Sequence, residues 1–199
     1  MSARARSVWG LTIVSAAFLV FLVQPILGKM ILPWFGGSAG VWSLCLVFFQ
    51  TSLLAGYAYA HVLTRLVALR RQVATHAILV AASLLLLPIL PSPAWRYSAS
   101  SNPSWRILAL LAATVGFPYV LLAATSPLLQ AWYAELGPGG SPYRFYSLSN
   151  LGSILGLLSF PLLIEPRLTS SAQAMAWSAG YIVFALLFLA AAGHAMTRL

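Results

Sequence analysis

Six long apolar runs alternate with short polar breaks along this 199-residue chain. A helix needs about 20 mostly apolar residues to cross the ~30 Å hydrocarbon core of a bilayer, and each run approaches or exceeds that length. The runs predict spanning helices over about residues 8–27, 41–63, 73–90, 106–133, 142–164 and 173–195. The breaks carry the residues that stop helices. Lys29 to Gly40 holds Pro33, Gly36, Gly37 and Gly40, and Thr64 to Gln72 is basic. Pro91, Pro93 and Pro103 block continuous helix between Pro91 and Trp105. Gly137, Pro138, Gly139 and Gly140 fill the fourth break, after which Ser141-Pro142 reads as an N-cap followed by proline at the first helical position. The predicted fold class is all-α: a polytopic membrane bundle of six transmembrane helices forming one domain over residues 1–199. Met1 to Ser7 followed by Val8 to Val23 imitates a signal peptide. No small-x-small cleavage site precedes Lys29 and five further spans follow, so the segment is read as an uncleaved first helix.

Composition strengthens the membrane reading. The chain is 61% hydrophobic and 7% charged, with a mean hydropathy of +0.90. Its formal net charge of +9 comes from eleven Lys and Arg against two acids, Glu135 and Glu165. In a soluble protein that balance would suggest nucleic acid. Here the basic residues sit mainly in breaks, and no basic face is interleaved with stacking aromatics, so nucleic-acid binding is not expected. Orientation and the lipid bilayer itself explain them better. Arg4, Arg6, Arg65, Arg70, Arg71, Arg144 and Arg198 fall on one side, and Lys29, Arg96, Arg106 and Arg167 on the other. The richer side is expected to be cytoplasmic, together with both termini. Trp34, Trp95, Trp105 and Trp177 lie near predicted span ends, where interfacial anchors belong. The lone Cys45 excludes an internal disulfide and a cysteine-cluster metal site. His61, His76 and His194 are scattered near the cytoplasmic side, without the spacing or carboxylates of a metal site. There is no G-x-G-x-x-G, P-loop or acid pair, so neither a cofactor nor catalysis is expected.

Function must then reside in the few polar groups kept in or beside the spans. Lys29 is the only lysine. If helix 1 ends near Gly28, Lys29 simply snorkels to the interface. If the helix continues through Met30 to Leu32, its ammonium needs a partner, and Glu165, predicted on the same side, is the natural one. Gln24, Gln50, Gln130 and Asn150 are amides at or inside the spans, and a buried amide in lipid needs hydrogen-bond partners. They either join helices or line a polar cavity. These six residues form the candidate polar or solute site. Gly152 and Gly156 form a G-x-x-x-G, and Ser149 with Ser153 makes a parallel small-residue pair, so this face of helix 5 is expected to pack closely on another helix. Pro25, Pro118, Pro127 and Pro161 are positioned to bend their helices.

A faint internal repeat is also present. Gln24-Pro25-Ile26-Leu27, Gly36-Gly37-Ser38 and Trp42-Ser43-Leu44 are echoed by Ser126-Pro127-Leu128-Leu129, Gly139-Gly140-Ser141 and Tyr146-Ser147-Leu148. The offset is 102 residues at the prolines and 104 at the aromatics. Three helices per unit would turn the second unit upside down relative to the first, as in many transporters.

Several stretches go beyond generic membrane sequence: Phe21-Leu-Val-Gln-Pro-Ile-Leu-Gly-Lys-Met-Ile-Leu-Pro-Trp-Phe-Gly-Gly-Ser38, Phe48-Phe-Gln-Thr-Ser-Leu-Leu-Ala-Gly-Tyr-Ala-Tyr-Ala-His61, Ala124-Thr-Ser-Pro-Leu-Leu-Gln-Ala-Trp132 and Ser141-Pro-Tyr-Arg-Phe-Tyr-Ser-Leu-Ser-Asn-Leu-Gly-Ser153. With Leu163-Ile-Glu-Pro166 they resemble the membrane part of the bacterial fused membrane/spermidine-synthase-like proteins. In that family a transporter-like region, described as related to the major facilitator fold, precedes a soluble synthase-like domain. The resemblance implies a half-transporter-like bundle in the bacterial inner membrane. The soluble domain's nucleotide-binding units and acidic catalytic residues are absent from these 199 residues, so synthase activity is not carried over. Two readings stay open. One is a module that handles a small, cationic solute or docks a synthase-like soluble partner, working as a homodimer that encloses a pathway. The other is a non-transporting scaffold or accessory subunit of a larger membrane complex, which expects every amide and the Gly152/Gly156 face to be buried in helix contacts.

Overall fold

The computed structural model describes residues 3–96, 102–136 and 143–199. The Ser141-Pro142 helix start and the Gly139-Gly140-Ser141 arm of the repeat lie outside the described residues. Within them the chain is helical, without strands, and six helices are long and apolar enough to cross a membrane. These are α1 (Ala3–Ile31), α2 (Ala39–Leu66), α3 (Leu69–Ser83), α4 (Pro103–Leu136), α5 (Tyr143–Ile164) and α6 (Ser170–Met196).

Local chemistry sets the ends. α1 runs past Gly28 to Ile31 and gives way to a 3-10 turn, Leu32–Trp34, opened by Pro33. Gly36 and Gly37 then adopt φ of +90° and +64° and turn the chain back, conformations that a Cβ disfavours. Ser38 caps α2, its side-chain oxygen accepting from the Val41 amide at 3.4 Å. Asn102 accepts from Ser104 N at 3.0 Å, with Pro103 at the first helical position of α4. Two π-helical turns accompany prolines: Ala112–Gly116 lies just ahead of Pro118, and Phe160–Ile164 encloses Pro161 at the end of α5. A wider turn accommodates a residue that has no N–H to donate. Helix 3 is shorter than its apolar run. It ends at Ser83, passes through the 3-10 turn Leu84–Leu86, and meets Pro88, which forces Leu87 into the extended region (ψ 150°).

α1 and α4 form the centre. In their most apolar windows 61% and 56% of residues are buried, against 28% for α2 and 17% for α5. α1 packs chiefly on α5 and α6, α4 chiefly on α2, α1 and α4 meet each other, and α3 lies on α6. Exchanging α1 with α4, α2 with α5 and α3 with α6 carries the α1–α5 pair onto α4–α2 and leaves α1–α4 and α3–α6 in place, while α1–α6 falls on a lighter α3–α4 contact. Two glycine contacts share the register. A Cβ on Gly156 would stand 2.5 Å from the Phe18 carbonyl oxygen, and one on Gly56 2.8 Å from that of Val120. Phe18 and Val120 are 102 residues apart, the spacing of Pro25 and Pro127. Each half therefore seats a glycine of its second helix on the matching carbonyl of the other half's first helix.

The core is aromatic. Trp132, Tyr119, Tyr181, Phe49, Phe184, Phe188 and Trp177 are fully buried between the helices. Trp177 does not act as an interfacial anchor. It is 1% exposed, and its indole N–H donates to the Leu19 carbonyl at 2.9 Å, because α6 begins at Ser170 and carries position 177 two turns into the bundle. Trp105, by contrast, is 73% exposed at the start of α4.

Candidate functional site

The structure divides the six candidate polar residues into three groups. Lys29 and Glu165 meet. The last turn of α1 brings the Lys29 ammonium within 2.5 Å of Glu165 Oε1, just beyond the π-turn of α5. Both side chains remain about two-fifths exposed (43% and 41%). The pair closes the end of the α1–α5 seam. At the same end Arg96 lies over the Trp34 ring, 5.4 Å from its centroid.

Gln24 and Gln130 join helices. Gln24 Nε2 donates to Tyr119 Oη at 3.2 Å and to the Val20 carbonyl at 3.3 Å, tying α1 to α4 beside Pro25. Gln130 Nε2 donates to Ser126 Oγ at 3.0 Å, and the Ser126 hydroxyl donates to Ser149 Oγ at 3.3 Å, tying α4 to α5. The small-residue face of α5 lies on α1. Cβ atoms on Gly152 and Gly156 would each come within 2.5 Å of a backbone oxygen, Val14 and Phe18 respectively. Ser153 donates to its own helix at the Ser149 carbonyl, 3.0 Å away.

Gln50 and Asn150 have a different setting. Both are exposed on the outer faces of α2 and α5. Gln50 lies within about 5 Å of the midpoint of α2 by helical rise, so an amide stands exposed near the middle of an apolar helix. It has company: Ser43, Gln50 and Tyr57 repeat at intervals of seven, and His61 lies one turn beyond Tyr57. All four are exposed. Asn150 precedes Gly156 by six residues, as Gln50 precedes Gly56. Each second helix thus turns a glycine inward and an amide outward.

Sequence reasoning missed the buried polar stripe on α3. His76 is fully buried. Its Nδ1 lies 3.3 Å from Tyr59 Oη and its Nε2 3.2 Å from Thr125 Oγ1, while Phe188 presents itself edge-on with centroids 5.0 Å apart. One turn earlier Gln72 Oε1 accepts from the Trp132 indole N–H at 2.8 Å. Two turns later Ser83 Oγ is 2.6 Å from Tyr181 Oη. The signal was present: Gln72, His76 and Ser83 share one face of helix 3 at spacings of four and seven. They lace α3 to α2, α4 and α6. Among the described residues no group of three or more His, Cys, Asp or Glu is placed to hold a metal ion.

Comparison of the chain with protein-family models, with characterised proteins and with solved structures finds no match.

Proposed function

We propose that this chain is a transporter-like membrane module, one half of a solute pathway that a second copy completes by packing against its α2 face. The observation that carries the reading is the exposed stripe Ser43, Gln50, Tyr57 and His61, running along a spanning helix whose other side closes a well-packed bundle. An amide left facing hydrocarbon lacks hydrogen-bond partners, at a cost on the order of 2 kcal/mol or more. Protein or water on this face is therefore favoured over lipid. A primary amide both donates and accepts, so two copies about a two-fold axis supply one another's missing partners. The arginine-rich end faces the cytoplasm in this reading, and a synthase-like soluble partner would dock there. The resemblance to the fused spermidine-synthase-like proteins makes polyamines the first solutes to test, with Lys29 and Glu165 at the opposite mouth.

The scaffold reading has its own support: Gln24, Gln130, Gly152 and Gly156 are all engaged in helix contacts. One experiment separates the two. In a Cys45→Ser background, Gln50→Cys and Tyr57→Cys should each yield a covalent homodimer on mild oxidation in native membranes. Proteoliposomes of the parent chain should take up labelled spermidine, and Gln50→Leu should lower the uptake. Absence of the dimer at both positions, with a different membrane protein co-purifying stoichiometrically, would establish the scaffold instead.

A further inference from the structure

We propose that the groove between α1 and α5 at the arginine-rich end binds one anionic phospholipid. The groove has a volume of about 620 Å³. Its cationic rim comes from two helices, Arg6 near the start of α1 and Arg144 in the first turn of α5. Both side chains are exposed, and neither has an ion-pair partner among the described residues. Deeper in the span the walls turn apolar: Leu11 and Val14 on α1, and Leu148 on α5, with Tyr133 of α4 behind them. Val14 lies about 12 Å below Arg6 by helical rise. Gly10 lets the two walls approach, since a Cβ there would stand 3.1 Å from Leu148 Cδ1.

The gradient along the groove selects the ligand. Two guanidinium forks at helix ends suit a phosphate oxygen array better than any neutral headgroup. Arginines at the ends of helices long enough to span a bilayer fall at the headgroup level of a membrane that holds them, and the trough beneath them can hold the upper part of an acyl chain. A soluble phosphate would use the rim alone, so the apolar half commits the site to lipid. Glu135, the one carboxylate at this end, is exposed in the last turn of α4 and does not line the groove.

The test uses the full chain in phosphatidylcholine nanodiscs doped with phosphatidylglycerol, with retained lipid read by native mass spectrometry. One phosphatidylglycerol per chain should be retained in preference to phosphatidylcholine. Arg6→Gln with Arg144→Gln should weaken retention roughly 30-fold, the product of two juxtamembrane charge contributions. Arg65→Gln with Arg198→Gln removes two charges from the same end and should change little. Arg6→Lys with Arg144→Lys should keep most of the binding, which separates loss of charge from loss of fold. Equal retention of phosphatidylcholine, an unchanged double-glutamine variant, or displacement of the lipid by millimolar glycerol 3-phosphate would each overturn the proposal, the last by showing a site for a soluble anion.

Discussion

Gly156→Ala puts the close packing of α5 on α1 to a quantitative test. The added methyl carbon would stand 2.5 Å from the Phe18 carbonyl oxygen and 3.3 Å from its carbon, both backbone atoms of the most buried helix. Ordinary contact begins at 3.4 Å, so α5 must retreat by about 0.9 Å or α1 must deform. Overpacking of this kind costs about 1–3 kcal/mol, and the better helix propensity of alanine returns up to ~1 kcal/mol. The expected net loss is about 1–2 kcal/mol. Gly152→Ala, at 2.5 Å from the Val14 oxygen, should match it, while Gly56→Ala, at 2.7 Å from a side-chain carbon and 2.8 Å from a backbone oxygen, should cost somewhat less. Two controls fix the scale. Gly193→Ala meets nothing within 4 Å, and the three atoms nearest a Cβ on Gly28 all belong to the Trp42 ring, a side chain 41% exposed rather than backbone. Neither should lose more than about 0.5 kcal/mol against the parent, and Gly193→Ala keeps the propensity gain of up to ~1 kcal/mol. Equilibrium unfolding in mixed micelles, followed by the fluorescence of buried Trp9, Trp132 and Trp177, measures the series. If Gly156→Ala unfolds with Gly193→Ala, the seam is looser than described and the argument fails.

Two further outcomes follow from the polar groups. Glu165→Gln and Lys29→Ala should each change stability by less than about 1 kcal/mol, because a pair this exposed is screened by water and salt; a loss of several kcal/mol in the same unfolding assay would mean the pair is desolvated in the membrane. His76→Ala empties a fully buried site and should cost about 2–4 kcal/mol by analogy with other large-to-small core changes; diethylpyrocarbonate labelling should accordingly spare His76 until the protein unfolds, and rapid labelling of His76 would refute its burial.

The reach of the sequence differed from residue to residue. The possible pairing of Lys29 with Glu165 was legible because both flank apolar runs on the same predicted side. The small-residue face of α5 was legible because glycine at a four-residue interval has few other uses in a span. Gln24, Gln50, Gln130 and Asn150 could not be told apart: each is one amide in an apolar run, yet two tie helices together and two stand outside the bundle. His76 was set aside with the other histidines, although its stripe with Gln72 and Ser83 pointed to a buried face. Trp177 was misplaced by counting from a predicted helix end, when α6 begins three residues earlier and docks on Leu19.

The sequence by itself determined that this chain forms six helices long and apolar enough to cross a bilayer. That outcome depends on summed transfer of apolar residues from water, a property of composition and run length. The tertiary structure decided which face of each helix turns inward. Lipid tails and a protein core are equally apolar, so hydrophobic pattern carries almost no information about that choice. It is settled by where a glycine admits a neighbouring carbonyl and where a hydroxyl or amide finds a partner, as Gly156 does on Phe18 and Gln24 on Tyr119.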